Sequence, residues 1–137
     1  MVLFAVPPEV AFDYLVEPAN RPAWQSSLAR VEEVAPGPAV GQTWTDVTVP
    51  GLRPAMETTE LDRPRRWTER GTWRGFSAEL TLEFAPAPGG CAVEPTMTLR
   101  GPGAFLLNPL APYAVRSDLK RAARLLAPAG GRAARPH

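Results

Sequence analysis

Two acidic residues lie where the surrounding pattern calls for apolar ones, and proton transfer is the chemistry that they could perform. In the segment 66–73, RWTERGTW, strand alternation places Glu69 on the same face as Trp67 and Trp73. If that face points inward, Glu69 is a carboxylate in an apolar pocket, a setting that suits a general acid or base. The alternative is that Gly71 marks a β-bulge and turns Glu69 outward.

Asp118 is the second acidic candidate. It lies within the apolar arc of the segment 106–127, LLNPLAPYAVRSDLKRAARLLA, whose periodicity predicts one long C-terminal helix. Its simpler roles are an ion pair with Arg121, three residues on, or a helix cap at a break after Pro112. Tyr113 adjoins this position and could offer a hydroxyl group to a ligand at the mouth of a pocket.

Large apolar side chains supply the second signal, because aromatic residues and methionines recur among strands rich in Thr and Ala. Each of them can belong to a close-packed core, where aromatic residues dominate the buried area. Together they can also line a pocket for a flat or apolar ligand. The predicted ligand-binding residues are Trp24, Trp44, Met56, Trp67, Trp73, Phe76, Leu80, Met97 and Tyr113.

Composition argues against most other kinds of site. His137 is the sole histidine and stands at the end of the sequence, so no catalytic triad, Cys/His pair or histidine metal site is expected, and no cofactor. Cys91 is the sole cysteine, which fits a reducing, cytoplasmic compartment. The net charge of +1 provides no field that would attract nucleic acid. No apolar run is long enough to span a bilayer.

The first 28 residues predict a strand followed by two short helices. Residues 1–6 are apolar and form the strand. Pro8 suits the first turn of a helix, which ends near Pro18. Asn20 can cap a second helix that carries Trp24.

Between residues 28 and 100, turn signals recur at strand spacing. Residues 76–84, FSAELTLEF, alternate strictly between apolar and polar side chains, and residues 91–99 repeat the pattern. Pro95 lacks a ladder donor and is expected at a bulge or on a sheet edge. Such strands predict an antiparallel sheet with one buried face, which the helix 106–127 would cover.

The segment 7–24, PPEVAFDYLVEPANRPAW, resembles the opening signature of the SRPBCC superfamily, the START-like group that includes polyketide cyclase/dehydrase proteins. Later matches are Val40-Gly41-x-x-Trp44, the turn DRPRRW at 62–67 and Gly89-Gly90 before a strand. The resemblance implies an α+β helix-grip fold. In that fold a curved antiparallel sheet of about six to seven strands wraps around a long C-terminal helix, and two short helices follow the first strand.

The same resemblance implies a hydrophobic cavity between the sheet and the C-terminal helix. We expect one domain over residues 1–127 and a disordered tail over 128–137. The first strand is shorter than is usual in the superfamily. Its edge could pair with a neighbouring chain, so both a monomer and a homodimer are open.

Three functions are compatible with this sequence. The first is the binding of a small hydrophobic molecule, aromatic or polyketide-like. The second is a polyketide cyclase or dehydratase in which Glu69 and Asp118 move protons while the cavity walls fold the substrate. The third is an interaction domain without a cavity, as in the co-chaperone branch of the superfamily. A filled interior favours the third function, an apolar cavity the first, and a carboxylate at its wall the second.

Overall fold

The computed structural model describes residues 1–127, apart from the side chains of residues 105 and 107. The predicted tail 128–137 lies outside the described residues. A single-turn 3₁₀ helix spans Pro18–Asn20. The strands are β1 Val2–Phe4, β2 Leu28–Glu32, β3 Thr43–Thr48, β4 Ala55–Asp62, β5 Arg66–Trp73, β6 Phe76–Ala87 and β7 Gly90–Arg100, and the helices are α1 Pro8–Val16, α2 Arg21–Trp24, α3 Ala104–Leu107 and α4 Ala111–Leu126.

The seven strands form one curved antiparallel sheet in the order β1-β7-β6-β5-β4-β3-β2. Short helices follow the first strand, and the last long element is a helix. The α+β helix-grip prediction is therefore confirmed. None of the helices in the described part of the chain is long and apolar enough to cross a membrane.

Strand alternation gives the sheet one buried face. In β5 and β6, Trp67 pairs with Leu82 and Glu69 pairs with Leu80, so these side chains share that face. Helix α1 packs on β6 and β7, with the ring of Phe12 5.1 Å from that of Phe84. Helix α4 packs on β1, β7 and α2. The helices thus cover one end of the buried face and form the core with it, and the other end lines a cavity.

The single C-terminal helix predicted over 106–127 is wrong in its extent, since the structure divides the segment into α3 and α4. Between them, the Asn108 side chain accepts a hydrogen bond from the Leu99 backbone N–H at 2.8 Å and donates one to the Leu99 carbonyl at 3.0 Å. Pro109 and Pro112 lack the N–H groups that would continue a helix from α3. The buried residues of α4 are Val115, Leu119 and Ala122.

Pro95 lies on a free strand edge, as predicted. Strand β1 pairs only with residues 91–93 of β7, so among the described residues no strand lies beside the rest of that edge. On its other side Pro95 is paired with Leu82 of β6. Sheet edges are where strands tolerate the missing donor of a proline.

Gly90 allows β1 to join the sheet. A Cβ atom at this position would lie 1.9 Å from the Phe4 carbonyl oxygen and 2.8 Å from the Val6 nitrogen, both of them backbone atoms. At the neighbouring Gly89, which has a φ of +82°, a Cβ atom would meet nothing within 4 Å. Of these two glycines, only Gly90 cannot be replaced by another residue without displacing β1.

We expect Gly90→Ala to lower the free energy of unfolding by about 2–3 kcal/mol, because overpacking forces the backbone of β1 to move. Gly89→Ala is the control and should cost about 1 kcal/mol, from its positive φ alone. Amide hydrogen exchange locates the effect: protection in residues 2–4 and 91–93 should be lost in the first variant and kept in the second. Equal protection in both variants would contradict this account.

Candidate functional site

A cavity of ≈ 270 Å³ lies under the end of the buried face that the helices leave unfilled. It is at the end of the sheet where β3, β5 and β7 finish. Its other wall is the connection after α2, with Leu28, and the start of α3, with Ala104. In the described part of the chain no residue of α4 lines it. The cavity is thus bounded by the sheet, the α2–β2 connection and α3.

Five of the predicted ligand-binding residues line this cavity. The rings of Trp73 and Phe76 are stacked with their centroids 6.3 Å apart and an angle of 25° between them. They stand on the two sides of the β5–β6 turn, and Phe76 is 39% exposed. The other three come from β4, β6 and β7, and are Met56, Leu80 and Met97.

Four predicted residues lie elsewhere. Trp24 and Trp67 are almost completely buried in the core, because the helices cover that end of the sheet. Trp44 is buried and donates a hydrogen bond from Nε1 to Asp46 at 2.9 Å. Tyr113 is 71% exposed on the outer side of α4 and does not line the cavity.

Glu69 lies at the cavity wall and is paired with Arg21 through both of its carboxylate oxygens. Its side chain is buried and lines the cavity, so no bulge at Gly71 turns it outward. Its Oε1 accepts a hydrogen bond from Arg21 Nη1 at 2.7 Å, and its Oε2 accepts one from Arg21 Nη2 at 3.0 Å. The irregular register occurs instead in β4, between Thr58 and Glu60.

Arg21 is the other half of this buried ion pair and is only 1% exposed. Its guanidinium lies over the rings of Trp24 and Trp67, at 5.0 and 5.5 Å from their centroids. Its Nε and Nη2 also donate to the side-chain oxygen of Gln25. Burial lowers the pKa of Arg21, but the charge and hydrogen bonds of Glu69 outweigh this effect and leave that pKa raised. Arg21 therefore remains a cation.

Asp46 is a second buried carboxyl group at the cavity wall, and is 3% exposed. Oδ1 accepts the hydrogen bond from Trp44, whereas Oδ2 accepts none from any residue that the structure describes. Burial raises the pKa of Asp46 to about 6; Arg21 opposes this shift and the negative charge of Glu69 adds to it. This carboxyl group changes its charge near neutral pH.

Asp118 is not part of the cavity wall. Its Oδ1 accepts hydrogen bonds from the Ser26 backbone N–H at 3.3 Å and from Ser26 Oγ at 3.1 Å. Through this contact α4 holds the α2–β2 connection, two residues of which, Gln25 and Ser27, line the cavity. Asp118 thus helps to hold the α2–β2 connection in place without itself lining the cavity.

Sequence reasoning missed Arg21, Gln25 and Asp46. Asp46 could have been found, because it alternates with Trp44 in β3 just as Glu69 alternates with Trp67 in β5. Arg21 and Gln25 belong to a single helical turn and its end, which are too short to show any periodicity. Their partners are distant in sequence and only the fold brings them together.

The raised pKa of Asp46 predicts how stability depends on pH. Between the ordinary value of 3.8 and about 6, the folded protein keeps a proton that the unfolded chain has released, so stability from this group falls as pH rises through that window. The free energy of unfolding of the wild type should therefore fall relative to Asp46→Asn, by roughly 2 kcal/mol between about pH 4.5 and 7.5. Urea unfolding across this range measures the difference.

Asp62→Asn is the matched control, because that side chain is 50% exposed at the β4–β5 turn. Its difference from the wild type should stay nearly constant over the same range. If the profiles of the wild type and Asp46→Asn run parallel, the burial of Asp46 does not disfavour its charge.

Comparison with known proteins identifies the family. Residues 2–129 match the model of a family described as polyketide cyclase / dehydrase and lipid transport. No curated protein matches the chain. Solved structures with the same fold include a Mesorhizobium loti protein (16% identity, TM-score 0.73, covering 91% of this chain and 92% of that one) and a Chromobacterium violaceum protein (16%, 0.69, 93% and 94%). A third is a Deinococcus radiodurans protein (22%, 0.64, 90% of each chain).

At these identities the three structures show the fold alone. The family model, by contrast, spans almost the whole chain, including the segment 7–24. Together with the seven-stranded helix-grip fold, this match makes the chain a member of the polyketide cyclase/dehydrase and lipid transport family, which is of the SRPBCC type.

Proposed function

We propose that the protein binds a small hydrophobic molecule, aromatic or polyketide-like, in the cavity under the sheet. The observation that carries this proposal is the cavity of ≈ 270 Å³ and its predominantly apolar lining. The side chains of an apolar cavity lack the van der Waals contacts that a packed core supplies. A ligand that fills it restores those contacts.

The walls suit a flat ligand. Trp73 and Phe76 offer ring faces near the open end, while Met56 and Met97 supply flexible thioether side chains that adapt to irregular shapes. The volume is near the lower end of cavities that hold small molecules. A ligand of two or three fused rings matches these dimensions better than a long lipid chain.

Filling the cavity should abolish binding. Ala78 lines the cavity on β6, so Ala78→Leu puts a larger side chain into the ligand's space, and we expect it to weaken the binding of 2-methylnaphthalene by at least about tenfold. Ala85→Leu makes the same change on the opposite, exposed face of the same strand and should bind like the wild type. Ligand-observed NMR titration measures both. Equal affinity of the two variants, or no binding to the wild type, would count against the proposal.

A polyketide cyclase or dehydratase is the second candidate function, favoured by the presence of the Glu69 carboxylate at the cavity wall. In that mechanism a wall carboxylate takes a proton from an activated carbon or hydroxyl group, and the apolar walls fold the substrate for ring closure. Both oxygens of Glu69 already accept hydrogen bonds from Arg21. Proton abstraction would neutralise Glu69 and leave the buried Arg21 cation without its counter-charge, which is unfavourable, and this favours binding as the leading proposal.

Turnover of an aromatic polyketide substrate separates the two candidates. If Glu69 is the base, Glu69→Gln should lower kcat by at least about a hundredfold, the usual effect of removing a general base. Asp118→Asn should have a smaller effect, since Asp118 contacts Ser26 rather than the cavity. Full turnover in both variants, with folding verified by circular dichroism, would eliminate catalysis by these two carboxylates.

A further inference from the structure

The polar atoms of the cavity restrict the ligand more than its apolar walls do. Glu69 and Asp46 are its two buried charged lining residues, and Gln25 is a half-buried polar one. The hydrogen bonds that these three side chains make within the protein determine what each of them can still offer a ligand.

The cation of the network is not available to a ligand. Arg21 does not line the cavity, and it donates two hydrogen bonds to the oxygens of Glu69 and two to the oxygen of Gln25. Glu69 is an anion whose counter-charge is already Arg21. The ion pair therefore offers an anionic ligand no free counter-charge inside the cavity.

Asp46 and Gln25 each keep one side-chain atom that has no hydrogen-bond partner among the described residues. Oδ2 of Asp46 accepts no hydrogen bond from the described residues. Gln25 uses its Oε1 as the acceptor for Arg21, and this fixes the orientation of the amide. Its Nε2 is then left as a donor, on a side chain that lines the cavity.

The balance of charge around these atoms is negative. Arg21 on α2 is one positive charge, facing Glu69 on β5 and Asp46 on β3, and Asp118 on α4 also acts on it. Arg100 lines the opening but is exposed, where an ion pair is worth little. A carboxylate that entered the cavity would be buried beside like charges without a partner, which is strongly unfavourable.

We propose that the ligand carries an uncharged hydroxyl group, as a phenol or an alcohol, which donates a hydrogen bond to Asp46 Oδ2 while the Gln25 amide is available to its oxygen. This inference rests on the proposed function of hydrophobic binding and deepens it. A hydroxyl group matches both remaining atoms because it donates and accepts. An ammonium group has no acceptor for Gln25, and a carboxylate has no donor for Asp46.

The titration of Asp46 agrees with this assignment. Its pKa is raised by burial to about 6, so that above this value the group is an anion and acceptor only. Below it, the protonated group can donate. Discrimination against carboxylates should therefore be strongest above neutral pH and decrease on acidification.

Three probes with the same ring system test the inference on the wild-type protein by calorimetry. At about pH 7.5, 2-naphthol should bind at least about tenfold more tightly than 2-naphthoate, because only the anion leaves a buried charge unpaired. 2-Methylnaphthalene, which has no polar group, reports on the apolar cavity alone. The preference for naphthol over naphthoate should shrink at about pH 5, where Asp46 becomes protonated.

Asp46→Asn places an amide donor where Oδ2 stands and removes one negative charge, so the preference for naphthol should fall to about equality or reverse. Asp62→Asn, the exposed control, should keep the preference of the wild type. The comparison of the three probes on the wild type needs no variant and stands even if Asp46→Asn fails to fold.

The outcomes separate this inference from the proposed function. If 2-methylnaphthalene binds but 2-naphthoate binds as tightly as 2-naphthol, the cavity is a binding site and the hydroxyl assignment is wrong. If none of the three probes binds, the proposed function fails and the hydroxyl assignment fails with it. Retention of the full preference in Asp46→Asn overturns the role given to Asp46.

Discussion

The buried ion pair between Arg21 and Glu69 is the interaction on which the rest of the site depends. Helix α2 is only four residues long, and an isolated helix of that length has no stability of its own. Its bidentate contact with the middle of β5 fixes it against the sheet. Such pairs add little net stability, because two charges must leave water, but the loss of either partner strands the other. The pair therefore defines one position for α2 more than it strengthens the fold.

The same pair marks the boundary between core and cavity. Along the inner face of β5, Trp67 belongs to the core, Glu69 lines the cavity while its partner lies behind it, and Trp73 lines the outer cavity. On β6, Leu82 and Leu80 make the same transition. A single alternating strand thus contributes side chains both to the core and to the cavity wall. The helices determine where the core ends and the cavity begins, since they cover only one end of the sheet.

The strands were the part of the fold that the sequence predicted best, because their alternation is visible over a few residues. Alternation put Glu69 on the same strand face as Trp67 and left open whether a bulge would turn it outward, whereas the patterns of β6 and β7 gave those strands to within a few residues. Helical periodicity was less reliable, because the apolar pattern continues across the break between α3 and α4. At that break the Asn108 side chain forms hydrogen bonds with the Leu99 backbone in β7, and a pattern of apolar residues does not predict such bonds. Whether a buried tryptophan touches core or cavity depends on which helix covers it, and this information is not local in sequence.

The buried carboxyl group of Asp46 is the feature that most clearly distinguishes this cavity from a defect in core packing. A filled core would either replace a buried carboxyl group with an apolar one or satisfy both of its oxygens, because an unpaired polar group costs free energy. Here Trp44 donates a hydrogen bond to one oxygen, and the other accepts none from the described residues, on a side chain that lines the cavity. Departures from the rules of good packing concentrate where function needs them. An apolar cavity with such a carboxyl group at its wall therefore supports the proposal that a hydroxyl-bearing molecule binds there.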